Sequence, residues 1–135
     1  MQQRIDQFHP MGISIYIDHE NKIIHYTHSG SLTRAEIGDA WQRLLKMEEF
    51  TKRKYNLLSD YSNASFSMEL EEADMIADFL AGLKEILNGK KQALIISDPQ
   101  NVALSMIFED RVSRKTGFIV KVFASRQSGL NWLMK

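Results

Sequence analysis

The sequence predicts an α/β fold: a single layered domain with elements in the order β-β-α-β-α-β-α-β-α and a mixed, mostly parallel five-stranded sheet. Three observations predict it. Residues Lys91 to Lys135 read as a β-α-β-α unit, with apolar strands at Ala93–Ser97 and Ile119–Ala124 and a helix after each. Near the other end, two short strands flank the polar stretch Asp18–Lys22 and form an antiparallel hairpin. Every later strand is separated from the next by one helix, which calls for right-handed parallel crossovers.

Each element follows from its residues. Residues 1–12 read as an N-terminal arm in which His9-Pro10 is a break, and residues 13–135 as the single domain. Ile13, Ile15 and Ile17 alternate with Ser14, Tyr16 and Asp18, the period of a half-buried strand, and Ile23–Ser29 is its hairpin partner. Thr33 and Glu36 have capping-box spacing. Behind them Ile37, Trp41, Leu44 and Leu45 recur at helical spacing as far as about Phe50. Lys52-Arg53-Lys54 is a solvated connector to a third strand, Tyr55–Asp60. A loop, Tyr61–Phe66, leads to a long helix beginning near Ser67, whose apolar stripe is Met75, Ile76, Phe79, Leu80, Leu83 and Leu87. Asn88-Gly89 stops it. Asp98 caps the next helix, with Pro99 at its first position, and Gly117 closes it. The C-terminal helix is Arg126–Met134.

Composition narrows the functions. A chain of 135 residues, 44% apolar and 25% charged, makes one globular domain. Seventeen basic and seventeen acidic residues cancel, removing the charge excess that nucleic-acid binding needs. There is no cysteine, so disulfides and thiolate chemistry are excluded and a reducing, cytoplasmic location is expected. No apolar run approaches the ~20 residues of a membrane span.

No catalytic motif stands out. Gly82 and Gly89-Lys90 lack the spacing of a phosphate-binding loop, and no serine sits in a nucleophile elbow. His25 and His28 point to opposite faces of their strand, so no metal site and no cofactor are expected. The carboxyl ends of the strands supply a polar rim: His28-Ser29-Gly30, Asp60-Tyr61-Ser62, Ser97-Asp98 and Ser125-Arg126. Within it Asp60, Tyr61, Ser62, Ser65, Phe66, Ser67, Met68, Ser97 and Asp98 form an expected interaction or ligand rim. Helix caps and turns place the same residue types there. Catalysis would require His28, Asp60 or Ser97 to converge.

The chain resembles the STAS, or SpoIIAA-like, group of small α/β domains. The residues that carry the resemblance are Val122-Phe123-Ala124-Ser125-Arg126 with Gly129-Leu130-Asn131-Trp132-Leu133, the stretch Ala93–Pro99, and Met106-Ile107-Phe108-Glu109. They are similar to an uncharacterised bacterial branch of that group, over about residues 13–134. The best known members are anti-sigma-factor antagonists, phosphorylated on a serine after the third strand. The corresponding segment here is Phe66-Ser67-Met68-Glu69-Leu70, where Ser67 and Leu70 match but Phe66 and Glu69 replace an aspartate and a glycine. Phosphate on Ser67 would face Glu69, Glu71 and Glu72, so a helix-capping serine is favoured over a phosphosite. The resemblance implies a non-enzymatic binding or regulatory module that contacts another protein around residues 61–70. The alternative is a small apolar-ligand or lipid carrier whose seven methionines and seven phenylalanines line a cavity. A homodimer through the edge strand of the hairpin, or through the exposed face of an apolar helix, is a further expectation.

Overall fold

The computed structural model of the protein describes residues 2–5 and 12–135. The order is β1 (Gln2–Ile5), β2 (Ile13–Asp18), β3 (Ile23–Leu32), α1 (Arg34–Leu45), α2 (Glu48–Thr51), β4 (Asn56–Phe66), α3 (Leu70–Ala81), α4 (Lys84–Leu87), β5 (Lys91–Ile95), α5 (Pro99–Thr116), β6 (Ile119–Phe123) and α6 (Arg126–Leu133). The strands lie side by side in chain order. β1, β2 and β3 are antiparallel, and β3 to β6 are parallel. The five expected strands are all present. A sixth comes from the arm: Gln2–Ile5 pairs with β2, so the hairpin's outer strand is not a free edge. The His9-Pro10 break lies outside the described residues.

Strand alternation divides the sheet into two apolar layers. Ile15, Ile17, Ile24, Tyr26, Leu57, Leu94 and Val120 point to one face, where Trp41 and Leu44 of α1, Ile76 and Leu80 of α3 and Val112 of α5 bury them. Ile23, Leu58, Ala93 and Ile95 point to the other face and are covered by α6 through Leu130, Trp132 and Leu133. Gly129 permits that close approach, because a Cβ there would lie 2.6 Å from Ile95 Cδ1 and 3.2 Å from Ala93 Cβ.

β3 runs on to Leu32, past the expected Ser29, and β5 is Lys91–Ile95 where Ala93–Ser97 was expected. Four further differences concern the helices and β4. The helix expected to reach Phe50 ends at Leu45, and a separate turn, α2, carries the buried Phe50. The helix after β4 begins at Leu70, with Glu69 as its cap and the Glu69 N–H donating to the Glu72 carboxylate at 3.2 Å. Ser67 therefore does not cap the helix; its N–H donates to the Leu32 carbonyl at 2.9 Å. That helix stops at Gly82, leaving α4 as a separate turn.

The fourth difference bears on the site. Tyr61–Phe66, expected as a loop, is strand. The polar run is weak strand former by composition, but Ser29–Leu32 of β3 supplies a continuous ladder from Ser29↔Asn63 to Leu32↔Phe66. Pairing outweighs propensity. Between Thr27↔Asp60 and Ser29↔Asn63 the register advances by one extra residue on β4. That bulge reverses the alternation. Tyr61 and Phe66 consequently share a face, with their rings edge-to-face at 5.6 Å.

Candidate functional site

The expected rim separates into two groups, one on each face of the sheet. On the face covered by α1, α3 and α5 lie Tyr61, Phe66 and Met68. Phe66 and Met68 are half-buried against the core rather than exposed. With Ile37, Trp41, Ile76, Leu94, Leu104 and Phe108 they line a cavity of about 40 Å³. One water needs roughly 10–15 Å³, so this space holds a few waters and no lipid chain. Gln92 supplies its polar wall. Its amide donates to Ser59 Oγ at 3.0 Å, and its carbonyl oxygen has no partner. Burial pushes the Tyr61 hydroxyl up to about 12, a hydrogen bond from Ser59 acting the other way.

Beside the head of α3 the rim members Ser65 and Ser67 face solvent, as does Leu70, the first residue of that helix. The apolar stripe of α3 is wider than the face it buries: Ile76 and Leu80 are covered, whereas Met75 is 50% and Phe79 42% exposed. Spaced i, i+4, these two lie on one side of the helix. They border a groove of about 380 Å³ between α1 and α3, with Arg34, Asp39 and Gln42 at its margin. Arg34 also reaches Glu72 at 3.6 Å, tying the two helices at the groove's end.

On the opposite face Asp60, Ser62 and Ser97 come together. Asp60 Oδ1 accepts from the Ser62 hydroxyl at 2.6 Å and its N–H at 3.0 Å. Ser97 Oγ donates to the Ser62 carbonyl at 3.0 Å. Asp98 is exposed just before α5. Arg126, the first residue of α6, donates to Asp60 Oδ2 at 2.8 Å and to His25 Nδ1 at 2.7 Å. His25 stacks on Tyr16, with ring centroids 4.3 Å apart. Burial raises the Asp60 pKa, but the Ser62 and Arg126 hydrogen bonds outweigh it and hold the carboxyl below its ordinary value. Burial, then the Arg126 charge, lowers His25 to about 4, with Asp18 opposing them. The imidazole is neutral at pH 7, accepts from Arg126 through Nδ1, and turns a buried, unpartnered Nε2 away from it.

His28, Asp60 and Ser97 do not converge. His28 lies on the α1 side, 3.3 Å from Tyr26 Oη and 3.4 Å from Glu36, whereas Asp60 is engaged by Arg126 on the α6 side. His25 and His28 do point to opposite faces. Sequence reasoning placed Arg126 in the rim but missed its partner His25, 101 residues away. The available signal was alternation, which sets His25 on the α6 face with Tyr16 and Asp60.

With this geometry established, comparison with known proteins bears on the fold. Neither a family model nor a curated protein matches the sequence. Among solved structures, the crystal structure of an uncharacterized protein from the DUF3478 family with a SpoIIAA-like fold, from Shewanella loihica PV-4, is similar at a TM-score of 0.58 and 16% identity. The match covers 94% of this chain and 98% of that one. The chain has a SpoIIAA-like fold. Residues 66–70, the segment that the sequence resemblance singles out, link the last residue of β4 to the first residue of α3. No helix among the described residues is long and apolar enough to cross a membrane, and none of their His, Asp and Glu side chains group as a metal site.

Proposed function

We propose that the chain is a non-enzymatic binding or regulatory module that recognises another protein, with the contact centred on residues 61–70 and continued along α3. The observation that carries this reading is the pair Met75 and Phe79, large apolar side chains left open beside the α1–α3 groove. Solvated residues of this size gain most when a partner covers them, at about 25 cal/mol per Å² of apolar surface removed from water. The bulge supports it indirectly. By turning Phe66 inward it anchors the head of α3 to the core, so the exposed Ser65, Ser67 and Leu70 are presented on a fixed scaffold. Ser97 lies on the Asp60 side of the rim, where its hydroxyl donates to the Ser62 carbonyl. The protein is proposed to act in the cytoplasm, without cofactor or metal.

Capture from the source cells tests the proposal, with the wild-type chain and the double variant Met75→Ser/Phe79→Ser as paired baits. Met75 and Phe79 are half exposed, and a thermal melt of the double variant checks that the bait is folded. A partner retained by the wild type and lost by the double variant is the expected result. Identical captures overturn it. The carrier alternative needs α1, α3 and α5 to part, because the cavity between them holds only a few waters. Native mass spectrometry showing a co-purified apolar ligand would favour it.

A further inference from the structure

β6 is an edge of the sheet. The Ile119 N–H donates to Lys90 at 2.8 Å and the Phe123 carbonyl accepts from Ile96 at 3.0 Å. Backbone groups alternate in direction along a strand, so Ile119, Lys121 and Phe123 serve β5. Val120 and Val122 turn their N–H and C=O outward. A groove of about 330 Å³ runs beside this edge, walled on α5 by Val102, Met106 and Glu109. Their spacing, i, i+4, i+7, is that of one helical stripe. Glu109 lines that groove together with Lys121, Val122 and Phe123 of the edge strand, where the Val122 N–H acts on its carboxyl. A seventh strand added to this edge would have to displace it.

We propose that Glu109 is a lock on the β6 edge, and that the surface it closes pairs with the β6 strand of a second copy of this chain. The strand is its own complement. An antiparallel copy presents acceptors to the outward N–H groups and donors to the outward carbonyls. The register that sets Val122 opposite its counterpart places Lys121 beside Phe123 and avoids two facing lysines. Apolar surface flanks the edge on both sides, with Met106 57% and Ile119 43% exposed. Among the described residues, Lys121 on β6 and Asp110 on α5 are the charged groups that act on Glu109. A carboxylate at an open edge, with a lysine at the strand's centre, is a recognised way to keep sheets from joining.

The test uses the full chain and its Glu109→Ala variant, in which alanine suits the helix and leaves the fold intact. Light scattering across a concentration series should show the variant's mean mass rising toward roughly twice the wild-type value, as pairing of two copies requires. Amide exchange at Val120 and Val122 should slow by about tenfold as the variant is concentrated, and not in the wild type. Adding Val122→Pro should restore the wild-type mass, since that N–H is not used in the β5 ladder. Equal masses for wild type and Glu109→Ala overturn the proposal. So does association that leaves Val120 and Val122 unprotected.

Discussion

Acid should destabilise the protein through His25, and the size of the effect follows from the site. The ordinary imidazole value of 6.5 falls to about 4 in the folded chain, by burial first and the Arg126 charge second. Between those two values the unfolded chain binds a proton that the folded chain refuses, so stability falls as pH falls through this window. At about 1.4 kcal/mol per pH unit, the upper bound is on the order of 3 kcal/mol. Arg126 is partly solvated, with its side chain 38% exposed. Screening by that solvent brings the expected loss to about 1–2 kcal/mol. The assay is urea unfolding of the wild type and of His25→Gln, from about pH 7 to about pH 4.5. Glutamine keeps a hydrogen-bond acceptor for Arg126 and does not titrate. Asp60 and Glu109 are common to both proteins, so the difference between the two curves isolates the imidazole. The wild-type curve should drop below the variant's by that amount. Parallel curves would refute the reasoning, as would an NMR titration placing His25 near its ordinary value.

Gly129→Val should lower the unfolding free energy from urea titration by about 1–3 kcal/mol, because α6 meets the sheet at Ile95 and Ala93 with no room for a branched side chain; an unchanged midpoint contradicts the packing. Gly117→Ala should lose about 1–2 kcal/mol, since its φ of 74° disfavours a side chain and the new Cβ would meet Asn88 Oδ1 at 2.3 Å; calorimetry checks it. Lys90 is buried with its ammonium donating to the Phe50 carbonyl and lying 4.0 Å from that ring's centroid. Burial, then the Lys54 charge, lowers it to about 8 from 10.5. The unfolded chain keeps that proton longer, so wild-type stability should rise with pH between those values, and the rise should vanish in Lys90→Met.

Much of the fold was legible because its signals are local. Ile13, Ile15 and Ile17 alternate, Thr33 and Glu36 do form a capping box, with the Thr33 N–H donating to Glu36 at 3.1 Å, and Pro99 opens α5. The site was less legible because it depends on pairings between distant segments. Ser62 to Ser65 read as loop by composition and became strand through their partner β3. Met75 and Phe79 fit the stripe of a buried helix face, yet the width of α1 and the spacing of the layers left them uncovered. Nothing local pairs His25 with Arg126.

By itself the sequence determined the α/β class, the parallel crossovers, the Thr33–Glu36 capping box of α1 and most of the core, since periodicity records which side of each element must leave water. Tertiary structure decided the rest. It added Gln2–Ile5 as a sixth strand, shifted the alternation at the β4 bulge, and turned Phe66 and Met68 inward while leaving Phe79 open. It also set Glu109 beside Val122 in the groove along the β6 edge. Hydrogen bonding between strands and packing between layers are long-range choices, made only when the whole sheet and its helices compete for the same surface.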